Sequence, residues 1–428
     1  MSLSRFVLVE RAICASLALL LLCVRPALAG RPGPPSADEL VGDTTCPFGA
    51  RDCNRCVRGV REAVAGLQPA PTAAVRYSSM AAQRLPPYGA RLAAFAANDS
   101  HLEGIARLPL LDDSSWVVLS RARPGRIGGG GFFLAHLGDV PDHHGAPFGS
   151  ARKPVRYISP NPEQRRTTYY HPIDGSDHPG GLQLVGQTLA LAVSCAAADG
   201  CRGQTFVQLD DLSHPAARDT LLQRVPLFRQ GEPHRATHAT SVAMAKLRDG
   251  TYLMFVQGKD DKREGWFYRS DRPELGPDTE WRFVDYFRGG PSWDGRYQST
   301  SLLTDCDSGK LYLLGTGNRS YGPTVRPRLT PALVGELLSM FVRGALDRGR
   351  ELLHLFELGR GGRHIAMKRV HAASWEPRGH GFCTFRAAAS AYVTPDGGLA
   401  LYCTARKANT DLLGTPDSKL KLLEFAGE

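Results

Sequence analysis

HATSVAMAKLRDGTYLMFVQG, residues 238–258, followed by GWFYRSD (265–271) and WRFVDYFR (281–288), holds four strand-sized runs. Asp249 and Gly250 form the first turn, since an Asp-Gly pair between alternating apolar residues favours a tight hairpin. A polar loop separates the second and third runs, and a Pro- and Gly-containing loop separates the third and fourth. The stretch therefore predicts one four-stranded antiparallel sheet.

The same plan recurs on both sides. One repeat starts at His101 and runs through GIARLP, WVVLSRA, GFFLAHLG and PVRYIS. Another starts at His178 with GLQLVG, TLALAVS, TFVQLDD and QRVPLFR. A later one starts at Gln298 with STSLLTD, KLYLLGTG, ELLHLFELG and HIAMKRVH, and the last starts at Ala387 with ASAYVTP, LALYCTAR and LKLLEF. Five such repeats predict an all-β fold, a five-bladed β-propeller of four-stranded antiparallel sheets over residues 97–428, at about 66 residues per blade. A β-sandwich remains the alternative, whereas period-two alternation with hairpin turns excludes a helical solenoid.

Two features interrupt the plan. The last repeat lacks an outer strand, and AAVRYSS (73–79) is the expected donor, which would join the two ends of the chain. In the fourth blade, Thr330 and Pro331 open a short helical insertion whose apolar face runs from Leu333 to Leu346.

Ahead of the repeats, Arg5 and Arg11 precede an apolar run from Ala12 to Val24, and Ala27 to Ala29 suit a cleavage site. Residues 1–29 thus read as a signal peptide cleaved near Ala29, and 30–96 as a Cys-containing segment. Residues 30–45 read as a flexible leader, and Cys53–Leu67 as a short helix with Val57, Val60, Val64 and Leu67 on one face. No later run is long enough to span a membrane, so a secreted or periplasmic protein is expected.

The net charge of +10 becomes +8 once three Arg and one Glu of the signal are removed. That charge is scattered, without the clustered Lys/Arg and interleaved aromatics of a nucleic-acid surface. Eight cysteines remain, and an even number in an exported chain favours disulfides. Cys195 and Cys201 flank a short loop and are the expected pair. Cys46, Cys53, Cys56, Cys306, Cys383 and Cys403 leave many pairings open.

Aligning the repeat starts places His101, His178, His238 and Gln298 in register, the last three 60 residues apart. First strands line a propeller's channel, so these four would surround one mouth and serve as ligand-binding residues. Imidazoles with a carboxamide also suit a divalent transition metal such as manganese or zinc. Glu103 and Asp177 lie beside the ring as candidate acid–base groups. Asp305, Asp307 and Gly309 are similar to a calcium loop but lack a third acidic ligand. Ser270, Asp271 and Trp281 loosely resemble an aspartate box.

The repeat resembles the β-propeller superfold without a motif specific to one family. Five-bladed furanosidase-type glycosidases carry carboxylates where this chain has His101, His178, His238 and Gln298, a departure from a two-carboxylate mechanism. Propeller-type polysaccharide lyases that hold manganese with histidines and a glutamine are chemically similar but have more blades. Two expectations follow. One is an exported binding or scaffold propeller taking a glycan, a small polar ligand or an envelope protein. The other is a metal-assisted lyase or hydrolase acting on an acidic polysaccharide or other small polar substrate.

Overall fold

The computed structural model describes residues 40–69, 75–78, 101–110, 116–122, 130–136, 168–174, 176, 178–194, 205–215, 217, 219–227, 238–258, 264–289, 293, 297–319, 350–361, 364–375, 385, 388–404 and 419–426. Helix α1 (Val60–Ala65) comes first and is the only α-helix among them. Two short strands follow, β1 (Gln68–Pro69) and β2 (Val75–Ser78).

Four four-stranded antiparallel sheets come next, each from one continuous segment. The first contains β3 (His101–Arg107), β4 (Trp116–Ala122), β5 (Gly131–His136) and β6 (Thr168–Pro172). The second contains β7 (His178–Val185), β8 (Thr188–Ser194), β9 (Phe206–Asp211) and β10 (Leu221–Pro226). In the third are β11 (Ser241–Lys246), β12 (Tyr252–Gln257), β13 (Glu264–Ser270) and β14 (Trp281–Arg288). The fourth holds β15 (Tyr297–Thr304), β16 (Leu311–Arg319), β17 (Arg350–Gly361) and β18 (His364–Trp375).

The fold is an all-β propeller, with a correction to its count. Four sheets, not five, are regular blades. The remaining sheet is a composite of β19 (Ala388–Val393), β20 (Leu399–Thr404) and β21 (Lys419–Ala426) with β1 and β2. Gln68 pairs with Ala426, and Val75 with Leu422, so both N-terminal strands lie along one edge of β21. The first sheet also differs from expectation. Its fourth strand is Thr168–Pro172, where Tyr170 pairs with Phe133 and His171 with Phe132; PVRYIS lies outside the described residues. So do the helix expected after Thr330, the pair Cys195–Cys201, and Asp177.

Alternation explains why the strands read as nearly continuous apolar runs. On β11 and β12, Val242, Met244, Met254 and Val256 face the second sheet, packing with Ala190, Ala192, Val207 and Leu209. Ala243, Ala245, Leu253 and Phe255 point the other way, to Leu302, Leu311 and Leu313 of the fourth. Both faces of a blade are therefore buried, and each large apolar side chain so placed stabilises the fold by about 1.5–3 kcal/mol. The first strands neighbour one another in turn, β3 by β7, β7 by β11, β11 by β15, β15 by β19 and β19 by β3.

Polar residues on the second strands stitch the sheets together. Ser120 Oγ donates to Gly180 O at 2.7 Å, Ser194 Oγ to Ala239 O at 3.0 Å, and Gln257 Nε2 to Tyr297 O at 2.7 Å. Each reaches the next blade at the end where first strands begin.

The opposite end is covered by residues 40–67, which are bound along their length. Arg248 N donates to Val41 O, Gln187 N to Arg51 O, Val57 N to Thr304 O and Arg58 N to Gly397 O. Those partners belong to the turns or strand ends joining first and second strands in the second to fourth sheets and the composite sheet. Asn54 extends the second sheet's turn, donating from Nδ2 to Leu184 O and accepting from Gly186 N, both at 2.8 Å. Val57, Val60, Val64 and Leu67 are buried in the core between the fourth sheet and the composite one. That burial follows the helical spacing in the sequence, although the helix itself is shorter.

Disulfides join Cys46 to Cys53 and Cys56 to Cys306, and Cys403 is also disulfide-bonded. Disulfides belong to oxidising compartments, so the chain reads as extracellular or periplasmic. Among the described residues no helix is long and apolar enough to cross a membrane.

Candidate functional site

With residues 40–67 over one end, the site is built at the other, where β3, β7 and β15 begin. Each of these strands starts with a register shift, between Leu102 and Gly104, Pro179 and Leu182, and Tyr297 and Ser299. Bulges at such positions re-aim side chains. Here the residues set out of register are Glu103, the pair Gly180–Gly181, and Gln298.

The glycine pair is the meeting point. Gly181 N donates to Thr240 O at 2.7 Å, while Gly180 O accepts from Ser120. A Cβ at Gly181 would lie 2.3 Å from Gln298 O and 2.8 Å from Ser241 Cβ, and one at Gly180 would lie 2.3 Å from Thr240 O. No side chain fits there, so only glycine lets the β7 backbone touch the first, third and fourth sheets at once.

Below it, Gln183 fills the axis. Its Nε2 donates to Leu302 O at 3.0 Å, and its Oε1 accepts from Met244 N at 2.9 Å and Leu302 N at 3.0 Å. Ser241 Oγ and Thr300 Oγ1 bond to each other at 3.0 Å nearby. This polar floor divides the mouth from the strap-covered end.

At the mouth, His178 Nε2 approaches Glu103 Oε1 to 3.9 Å across the first and second sheets. Glu103 is 5% exposed, whereas the His178 side chain is half-exposed. His178 N donates to Ser176 Oγ at 3.2 Å, which anchors the strand start. His238 precedes β11 and is partly exposed, and Thr240 beside it bonds to Gly258 O at 2.8 Å. Gln298 is partly exposed next to Tyr297, whose ring is held by Trp293 at 4.7 Å and whose hydroxyl bonds to His354 Nδ1 at 2.5 Å.

The structure thus brings His178 to Glu103, and the backbones of Thr240 and Gln298 to Gly180–Gly181. The backbone of His101 starts β3, while its side chain lies outside the described residues. Among the described residues, no three His, Cys, Asp or Glu side chains group as a metal site. The two weaker motifs form turns. Asp305 Oδ1 accepts from Ser308 N and Oγ, and its Oδ2 accepts from Val60 N. Burial pushes the Asp305 carboxyl up, and these hydrogen bonds outweigh that effect and leave it below its ordinary value. Ser270 Oγ donates to Arg272 O, and Asp271 Oδ1 accepts from Glu280 N.

Sequence reasoning missed Gly180, Gly181 and Gln183. The HPGG stretch was a visible signal, since adjacent glycines inside a strand point to a bulge or a close backbone approach.

No protein-family model matches the chain, and no curated protein matches it. Solved structures do. A thermostable family-43 glycoside hydrolase is 12% identical, with 76% of this chain and 88% of that one covered and a TM-score of 0.37. A GH43 β-xylosidase/α-arabinofuranosidase from a compost microbial metagenome, solved with xylotriose, is 10% identical over 77% and 92%, with a TM-score of 0.36. A GH32 β-fructofuranosidase of Bombyx mori is 10% identical over 76% and 58%, with a TM-score of 0.36. Such a likeness reaches no further than the outline of the fold.

Proposed function

We propose that this chain is an exported glycan-binding propeller, released by cleavage near Ala29, with the composite sheet as a fifth blade that closes the ring. The observation that carries the reading is the Glu103–His178 approach beside the Gly180–Gly181 meeting point. It sets a buried acceptor beside a half-exposed imidazole at the mouth opposite the strap. His101, His178, His238 and Gln298 are the ligand-binding set. Imidazole and carboxamide groups both donate and accept hydrogen bonds, which suits the paired roles of sugar hydroxyls. The positive net charge favours acidic sugars over neutral ones by long-range attraction.

A screen of the full-length protein on immobilised neutral and acidic glycans tests this. Retention of at least one glycan, weakened by salt if it is acidic, is expected. Failure to retain any contradicts the reading.

The buried Glu103 also favours a second reading, a lyase or hydrolase in which Glu103 or Asp177 moves a proton and the ring holds manganese or zinc. Metal analysis of protein purified without chelators separates the two. Stoichiometric metal that disappears in a His178→Ala/His238→Ala variant supports the enzyme, and metal-free protein that still retains a glycan supports the binding propeller.

A further inference from the structure

The strap is latched at one chemically distinct point. Cys56 joins Cys306 across 250 residues, tying the N-terminal segment to the turn between β15 and β16. The two cysteines differ in exposure. Cys56 is 6% exposed, as are Cys46 and Cys53, whereas Cys306 is partly exposed in a turn with exposed Asp307 and Ser308. Thiol–disulfide exchange needs in-line access to one sulfur, and the accessible sulfur is the one attacked.

What the latch holds is continuous in the chain. Residues 54–58 are pinned to the second and fourth sheets and the composite one, α1 follows at once, and β1 and β2 then form an edge of the composite sheet along β21. Asp305, adjacent to Cys306, accepts from Val60 N at the start of α1. The disulfide therefore sits where strap, helix and turn converge. The four regular blades are joined to one another without it, through Ser120, Ser194 and Gln257.

We propose that Cys306 is a thiol-exchange site through which a dithiol reductant unlatches the N-terminal segment while the four regular blades stay folded. One thiolate of the reductant attacks Cys306 Sγ, the Cys56–Cys306 bond breaks, and Cys56 leaves as thiolate and takes up a proton. The second thiolate of the reductant then attacks the mixed disulfide and releases Cys306. Two electrons pass from the reductant, which leaves as its own disulfide, and both cysteines end as thiols. The strap then loses its covalent hold and exposes the turn end of the propeller.

The test uses the full-length protein with dithiothreitol titrated at neutral pH. Free thiols are trapped with N-ethylmaleimide and mapped by mass, and amide exchange is followed on the same samples. Cys306 and Cys56 should be labelled before Cys46 and Cys53. At that stage the peptide covering residues 54–67 should exchange at least tenfold faster, while residues 252–257 of β12 keep their protection. Opening of Cys56–Cys306 only together with loss of protection in β12, or opening that leaves residues 54–67 unchanged, would overturn the proposal. A Cys306→Ser variant should show fast exchange at 54–67 without reductant. Should it not fold, the wild-type titration still decides.

Discussion

The Arg107 guanidinium on β3 lies 4.7 Å from the ring centroid of Tyr392 on β19, joining the first inner strand to the last. Arg107 Nη1 also donates to Tyr402 Oη at 3.1 Å, and the residue is 2% exposed. A buried cation held by an aromatic face and a hydroxyl fixes this junction without a covalent bond. Replacing Arg107 with Met keeps the length and removes both interactions, at a cost of about 3 kcal/mol. Arg107→Lys should not restore stability, because an ammonium lacks the planar fork. Urea denaturation of both variants checks this, and wild-type stability in either one contradicts it.

Gln183 offers a second test at the axis. One carboxamide satisfies two backbone amides and one carbonyl on β11 and β15. Gln183→Leu leaves all three buried groups without that partner, so a loss of about 3 kcal/mol or more is expected. A melting temperature within a degree or two of wild type would show that the axis is held by other means.

Two buried groups give opposite pH dependence. His171 is 9% exposed, stacks on Phe132 at 4.7 Å, and its Nε2 has no hydrogen-bond partner among the described residues. Burial lowers its pKa from 6.5 to about 4. The unfolded chain then binds the extra proton first, so this stability is present above pH 6.5 and lost as pH falls toward 4, about 3 kcal/mol in all. In His171→Phe the loss on acidification should shrink by that amount. An unchanged acid limb would contradict the assignment.

Asp210 works the other way. Burial raises its carboxyl to about 6, against the lowering effect of hydrogen bonds from Gln208 and Thr220 and of the nearby Arg224 charge. Its contribution is complete below pH 3.8 and lost as pH rises through 6. Asp210→Asn should therefore make acid destabilisation between pH 6 and 4 steeper than in wild type. Denaturation midpoints across that window measure it, and a shallower slope would rule it out.

Much of this architecture was legible because blades stack on both faces. Val242 and Ala243 are neighbours in sequence yet belong to different cores, which produces the apolar runs that mark each strand. Spacing also predicted Val57, Val60, Val64 and Leu67 as one buried face. The strap was hidden for a physical reason: residues 40–45 look like a polar leader, but Val41 and Gly42 are held through backbone groups, which carry no sequence signature. The same holds for the bulges that aim Glu103 and Gln298. Register aligned His178, His238 and Gln298 in the sequence, and the adjacent Gly180 and Gly181 signalled a close backbone approach, but nothing local showed that the strands of Thr240 and Gln298 would be the ones approached.

The most direct test of the mouth as the site is to titrate the glycan retained by the wild-type protein against His178→Ala and, as a control on the strap side, Arg61→Ala. Removing a polar group so that a buried hydroxyl of the bound glycan is left without its partner costs about 1–3 kcal/mol. Binding weakened by roughly tenfold or more in His178→Ala, with Arg61→Ala equal to wild type, is the predicted result. Unchanged affinity in His178→Ala, or equal loss in both variants, would contradict it.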